Sequence, residues 1–237
     1  MPPEIIPIDT PNGRFYRTPA GEFPSVNTIL DATAPDSEQA RLKRWRQKRQ
    51  DCSEKKENAA SINACKRGTL LHEAIANYLA QREEPDHLPD VVIPYWRSIL
   101  PWLKRVGSSA LVSYPGFPEK HLAIELPLYE ASLGYAGTPD WVGEWESGSL
   151  WLVDFKSSHR KKRKTWMTRA RLQCAAYRRA FEVMFGIRLE KIAIPVAQTV
   201  QVAQVFELTS LELEEDDAAW MERLSQYKQL KASSLLG

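Results

Sequence analysis

The spacing of apolar residues changes along the chain, and the changes mark its elements. Near the N-terminus, turn residues (Pro11-Asn12-Gly13, Pro19-Ala20-Gly21) surround short segments such as Arg14-Phe15-Tyr16, and Ser25 is placed to cap a short helix over 26–30. Asp36 and Gln39 stand at capping-box spacing before a stretch without Gly or Pro that reaches about residue 57; it is basic over 41–49, with Trp45 among the charges. Leu71, Ala74, Ile75, Tyr78 and Leu79 then recur at the three- and four-residue steps of a buried helical face. Residues 91–106 predict a further helix, with Pro101 as a kink or break.

In the centre the period shortens. Residues 122–126, 136–145 and 150–155 are short apolar runs that read as strands, with 146–149 as the hairpin turn joining the last two. A long helix over 165–185 follows, stopped by Gly186, then strands near 191–197 and 200–208. Thr209 with Glu212 opens a final acidic helix by a second capping box. Helices, three strands, helix, two strands, helix is the order of an α/β fold with a mixed β-sheet core flanked by helices.

With 237 residues, 43% hydrophobic and 26% charged, the chain can bury a core and reads as a soluble globular protein. No stretch approaches the roughly 20 apolar residues of a membrane span. Met1-Pro2-Pro3-Glu4 does not open a signal peptide, so no membrane partner and a cytoplasmic location are expected. Cys52, Cys65 and Cys174 are odd in number and lack C-x-x-C spacing, which argues against a disulfide framework or a cysteine metal cage. The net charge of +2 conceals a segregation: residues 160–171 hold seven Lys or Arg and no acid, while 207–217 hold six acids and no base.

Candidate chemistry centres on Pro139-Asp140 and Asp154-Phe155-Lys156. Strand alternation puts Asp154 and Lys156 on one face and Trp151, Val153 and Phe155 on the other, so the apolar set buries and the charged pair faces a cleft. Asp140, on the partner strand of the hairpin, can approach Asp154 across the turn. Two carboxylates and a main-chain carbonyl, that of Phe155, suffice to hold Mg²⁺, which keeps several of its waters. Lys156 beside them would orient or deprotonate a water, or stabilise charge growing on a phosphate, a combination suited to cleaving phosphodiesters. Glu125 adds a third acid inside an apolar run, and a buried acid needs a partner or a cation. A surface Asp–Lys salt bridge is the bland alternative; the apolar strand and the Gly137-Thr138-Pro139 backbone weigh against it.

Five segments in order carry a resemblance: Pro24-Ser25-Val26-x-Thr28-Ile29-Leu30, Arg67-Gly68-Thr69-x-x-His72, Gly137-Thr138-Pro139-Asp140, Asp154-Phe155-Lys156-Ser157-Ser158 and Gln173-x-x-x-Tyr177. Together they cover roughly residues 14–180 and make the chain similar to the PD-(D/E)XK nuclease superfamily, in its RecB-like exonuclease branch, particularly mitochondrial genome maintenance exonucleases and their bacterial and phage relatives. The resemblance implies a restriction-endonuclease-like sheet core with an N-terminal helical region over the cleft. It implies one nuclease domain over 1–237: a mainly helical region to about 110, a catalytic core over about 111–210, and a C-terminal helix over 211–237. By it, Asp140 and Asp154 are metal ligands, Lys156 is the catalytic lysine, His72 is a further ligand, and Gln173 and Tyr177 are the pair on the helix after the catalytic strand. Glu125 falls where the family carries an acid of variable position and role. The cofactor implied is Mg²⁺ or Mn²⁺.

The run Arg160-Lys161-Lys162-Arg163-Lys164, continued by Trp166 and Arg169, directly follows the catalytic strand. Positive charge there would neutralise phosphates, and an aromatic among cations suits stacking on unpaired bases. The expected activity is therefore a metal-dependent DNA exonuclease acting from free ends and preferring single-stranded DNA, with roles in repair or recombination. A structure-selective DNA endonuclease and a non-catalytic DNA-end-binding module are the alternatives; intact Asp140, Asp154 and Lys156 argue against the latter. An iron–sulphur cluster would require four cysteines. No P-loop is present, so unwinding would come from a helicase or recombination partner.

Overall fold

The computed structural model describes residues 4–36, 38–40, 64–116, 119–145 and 149–235. The expected basic helix over 41–49 with Trp45 lies outside them, as do residues 146–148 of the expected hairpin turn. Ile6–Thr10 (β1), Gly13–Thr18 (β2) and Gly21–Pro24 (β3) form an antiparallel meander that turns at the two Pro/Gly clusters. Tyr16 and Thr18 face inward from β2 while Arg17 faces out. The start of the N-terminal region is thus sheet, not helix; its short polar strands lack the apolar run that would have marked them. In α1 (Val26–Ala32), the Ser25 hydroxyl accepts from the Thr28 N–H at 3.0 Å, so the expected cap is present. The Gln39 side chain donates to the Ala34 carbonyl at 2.7 Å rather than closing a box with Asp36.

Helices α2 (Ala64–Gln81) and α3 (Ile93–Leu103) follow, and Leu71, Ala74, Ile75, Tyr78 and Leu79 are all buried as their spacing predicts. Pro101 does not break α3, which runs on to Leu103. Short ladders come next: β4 (Leu111–Val112) with β5 (His121–Leu122), and β6 (Leu128–Glu130) with β7 (Tyr135–Gly137). The strand expected over 122–126 therefore ends at Leu122, and Glu125 turns into the left-handed region at φ 47°. The run expected over 136–145 is two strands, β7 and β8 (Trp141–Glu144), parted at Thr138-Pro139-Asp140, where Pro139 has no N–H to continue a ladder.

β9 (Leu150–Val153) pairs antiparallel with β8 as the predicted hairpin. Chain order continues with β10 (Lys156–Ser157), α4 (Thr168–Phe185), β11 (Lys191–Ala197), β12 (Gln204–Glu207) and α5 (Ser210–Leu235). β9 and β10 are one strand line: both run parallel to β11 in constant register, Val153 opposite Ala193 and Lys156 opposite Val196, with a break at Asp154-Phe155. β12 closes the other side of β11 antiparallel, so the sheet is mixed. It is shorter than the strand expected over 200–208, since Val200 and Val202 lie in an exposed loop. Gly186, at φ 67°, ends α4 in a conformation few residues other than glycine adopt. Thr209 and Glu212 exchange bonds of 2.9 and 3.3 Å, the expected capping box.

The sheet lies between two apolar layers. Val142, Leu152, Ile192, Ile194 and Val196 pack with α1, α4 and α5; Trp141, Trp151, Val153, Phe155 and Ala193 pack with α2 and α3. Alternate residues of each strand thus enter opposite cores, and a sheet covered on both faces explains the near-continuous apolar runs of β9 and β11. No described helix is long and apolar enough to cross a membrane.

Candidate active site

The break between β9 and β10 is where the candidate residues gather. Register places Trp141 opposite Val153, so Asp140 comes level with Asp154 at the mouth of the hairpin. Asp140 Oδ2 accepts the Phe155 N–H at 2.5 Å, replacing a ladder bond with a side-chain bond. Phe155 itself buries its ring against Trp102, so the apolar alternation anchors the break from the other face. Asp154, on the α4 face, is 3% exposed and forms an ion pair with the Lys156 ammonium. From α2, His72 Nδ1 stands 3.2 Å from Asp140 Oδ1 and 3.9 Å from Glu125 Oε1. The Glu125 N–H donates to the Asp140 carbonyl at 2.9 Å, which ties the two acids together through the backbone. A non-glycine residue at positive φ is held against a cost of about 1–2 kcal/mol, and here the strained position carries a site carboxylate.

Burial works against every charge in this group. It would lower the His72 pKa, but the Asp140 carboxylate outweighs it and holds the imidazole up at about 9. Burial, reinforced by repulsion from Asp140, pushes Glu125 up to about 7. Asp154 is pushed up to about 6 by burial, with Lys156 pulling the other way. Asp140 alone of these acids is lowered: burial opposes it, but His72, Lys156 and the Phe155 N–H prevail. Lys156 is raised in spite of its burial, by Asp154 first and Asp140 second, and so stays an ammonium.

The donor set fits a small divalent cation. His72, Glu125 and Asp140 each offer a ligand atom, all within 4.8 Å of one another. Asp154 Oδ2 is buried, and the Lys156 ammonium is the group that meets it. Imidazole and carboxylate donors suit first-row divalent ions, and oxygen-rich sets suit Mg²⁺. Phe155 contributes its N–H to the site; its carbonyl stays an expected ligand.

Gln173 and Tyr177 lie on one face of α4, both buried. Gln173 Nε2 donates to Asn27 Oδ1 at 2.8 Å, so it joins α4 to α1. The Tyr177 ring packs against the Gly137 backbone, and burial raises its hydroxyl pKa well above the usual range. Asn27 and Arg14 are residues the sequence reading missed. Both line a cleft of about 940 Å³ beside His72 and Glu125, and a second of about 550 Å³ beside Gly137 and Tyr177. For Asn27 the available signal was its place in Pro24-Ser25-Val26-x-Thr28, an exposed position between buried neighbours.

The basic run divides. Lys164 binds Glu212 at 2.7 Å, and Arg171 binds Asp216 at 2.8 Å, so the cationic and acidic blocks of the sequence meet in part. Arg169 pairs with Asp31 at 2.7 Å and reaches Asn27 at 3.1 Å. Lys162 is half-buried, its N–H donating to Gln204 at 2.9 Å. Arg160, Lys161 and Arg163 are exposed, and Arg163 stacks on Trp166, which is 60% exposed.

No protein-family model matches the chain, and no curated protein does. Among solved structures it is similar to a "Putative exonuclease" from Eubacterium rectale, at 12% identity over 74% of this chain and 70% of that one, with a TM-score of 0.43. It is also similar to an alkaline exonuclease, LHK-Exo, from Laribacter hongkongensis, at 15% identity over 89% of this chain and 92% of that one, with a TM-score of 0.29. Likenesses this distant leave the chemistry to the residues themselves.

Proposed function

We propose that this chain is a divalent-metal-dependent deoxyribonuclease that hydrolyses phosphodiester bonds from free ends and prefers single strands, in the manner of the PD-(D/E)XK nucleases its motifs resemble. One observation carries the reading: Asp140 and Asp154 stand level at a strand break, with the Lys156 ammonium on one and the His72 imidazole on the other. Mg²⁺ or Mn²⁺, held by Asp140, Asp154, His72 and Glu125, would supply Lewis acidity toward the phosphoryl group and the attacking water. The chain's own groups do the remainder. The Phe155 N–H fixes the Asp140 carboxylate, and the Glu125 N–H fixes the backbone beneath it. Lys156, kept protonated by Asp154, offers positive charge to the phosphate as negative charge builds on it, and this favours electrostatic stabilisation over proton abstraction. Exposed Arg160, Lys161 and Arg163 attract the strand, and Trp166 offers a face for an unpaired base.

The test is to incubate the full chain with end-labelled linear and circular single-stranded DNA, with Mg²⁺ or with chelator. Linear strands should shorten only with the metal while circles persist. Cutting of circles would assign an endonuclease instead, and intact linear strands in Mg²⁺ and Mn²⁺ would leave only a binding module. Lys156→Ala should be inactive; wild-type turnover in that variant would sink the mechanism.

A further inference from the structure

A second cluster, outside the group around Asp140, centres on Tyr95 of α3, which meets Arg67 of α2 and His159 just beyond β10. Arg67, in the first turn of α2, is 8% exposed, and its Nε is buried with no hydrogen-bond partner. No acid among the described residues pairs with it. Its guanidinium carbon lies 4.7 Å from the centre of the Tyr95 ring, on α3. The Tyr95 hydroxyl in turn meets His159 Nδ1 at 2.7 Å, with the two rings edge to face. Tyr95 is 1% exposed and so grips both neighbours from a fixed position, while His159 reaches the surface.

A guanidinium taken out of water needs an anion or several acceptors, and an aromatic face offsets only part of that need. Its planar fork of N–H donors matches the oxygens of a phosphate better than a point charge would. Arg67 precedes His72 by five residues on α2, and His159 follows Lys156 by three, so both elements that carry the proposed catalytic groups also carry this cluster. Arg160 begins the exposed cationic run immediately beside it.

We infer that Arg67 and His159, held by Tyr95, form a phosphate-binding subsite beside the proposed catalytic centre. The inference rests on the nuclease reading for the source of that phosphate, which is either the terminal monoester or an internal diester of the bound strand.

Thermal melting of the full chain in chelator, at fixed ionic strength, with and without millimolar inorganic phosphate, tests the subsite without metal or turnover. The wild type should gain melting temperature with phosphate, and Arg67→Met should lose that gain while melting no lower than wild type in its absence, since a buried charge with no acid partner among the described residues has been removed. Arg67→Lys, which keeps the charge and lacks the fork, should show a reduced gain and serves if the methionine variant does not fold. Lys228→Gln, which alters an exposed cation on α5, should keep the full gain. No phosphate effect on the wild type, or an equal effect on both Arg67 variants, overturns the subsite. Binding of single strands with 5′-phosphate, 3′-phosphate or hydroxyl ends, again in chelator, identifies the source. Arg67→Met should bind roughly tenfold to a hundredfold more weakly, for one phosphorylated end if the monoester is held and for all three strands if a diester is held. Unchanged binding of all three overturns the assignment. A phosphate gain that depends on Arg67, in a protein that cleaves nothing, would sink the nuclease reading and leave the subsite standing.

Discussion

Replacing Gly137 with alanine tests whether the wall behind Asp140 is as tight as its contacts imply. A Cβ there would lie 2.4 Å from Tyr177 Cε1, 3.2 Å from Tyr177 Cδ1 and 3.3 Å from Val26 Cγ2. Carbon atoms rest at roughly 3.5 Å or more, so the ring or the strand must retreat by about 1 Å. Neither moves freely. The ring is buried on α4, and β7 is held by Leu128 opposite Gly137 and by the bridge from Ser25 to Ala136. Overpacking of this kind costs about 1–3 kcal/mol, which for a chain of this size lowers the melting temperature by about 2–4 °C per kcal/mol. If the strand yields, Thr138-Pro139-Asp140 shifts with it, and a misplacement of about 1 Å at a reacting centre can lower turnover about a hundredfold. Melting by circular dichroism and cleavage of a labelled single strand read the two effects. In a Tyr177→Leu background the same change should cost far less, and the double-mutant cycle should show coupling of about 1–2 kcal/mol. A Gly137→Ala protein with wild-type melting and wild-type turnover would refute the reasoning.

In chelator, the stability of the protein should fall as pH rises from about 4 to 9. Asp154, Glu125 and His72 have folded pKa values raised to about 6, 7 and 9, so the stability each contributes is full below its unfolded value and is lost as pH passes the folded one. Affinity for Mg²⁺ should rise over the same range because the ion takes the deprotonated ligands; calorimetric affinities flat between pH 6 and 9 would contradict this. Neutralising Arg160, Lys161 and Arg163 together should reduce the salt slope of single-strand binding by about 2, at about 0.7 per phosphate contact. The same change at Lys164 or Arg169 should act chiefly on stability, because acids already hold those side chains. Thr209→Ala should lower stability by about 1 kcal/mol through loss of the α5 cap, with cleavage unchanged; an unchanged melting temperature would mean Glu212 caps the helix alone.

Long elements with one clear period were legible in the sequence. The buried face of α2, the full length of β11, the Gly186 stop and the Thr209 cap all stand where spacing and cap chemistry put them. What escaped was set by contacts between distant segments. The β1–β3 meander has few apolar residues because one side of it is wet, and β10 is two residues long because β11 alone defines it. The geometry of the candidate site is less simple than strand alternation alone suggests. Asp154 and Lys156 share a face as alternation requires, yet Asp154 is enclosed by α4 instead of facing an open cleft. Glu125 was read as a strand residue, and its left-handed turn follows from a bond to Asp140 that no local pattern encodes. The basic run was legible as charge, while its division into paired and exposed members depended on where the acidic end of α5 docks.

The unusual proton affinities of the site follow from the enclosure of its charges and from their mutual placement. The hairpin register brings the Asp140 and Asp154 carboxylates level on neighbouring strands, and like charges so placed repel strongly in a poorly polarisable setting. At the break the Asp154 N–H still donates to the Ala193 carbonyl at 3.2 Å, while Pro195 on β11 has no N–H to return; the Phe155 N–H binds the Asp140 carboxylate, and Lys156 meets Asp154 where β10 resumes. Three acids then face two cations, His72 and Lys156, and the imbalance appears as the raised proton affinities of Glu125 and Asp154. A divalent cation, if held there, would offset the same imbalance by competing with protons for Glu125, Asp154 and His72. The groups that oppose one another in the free protein are therefore the groups that would hold the ion, and the hairpin register is what keeps two of them together.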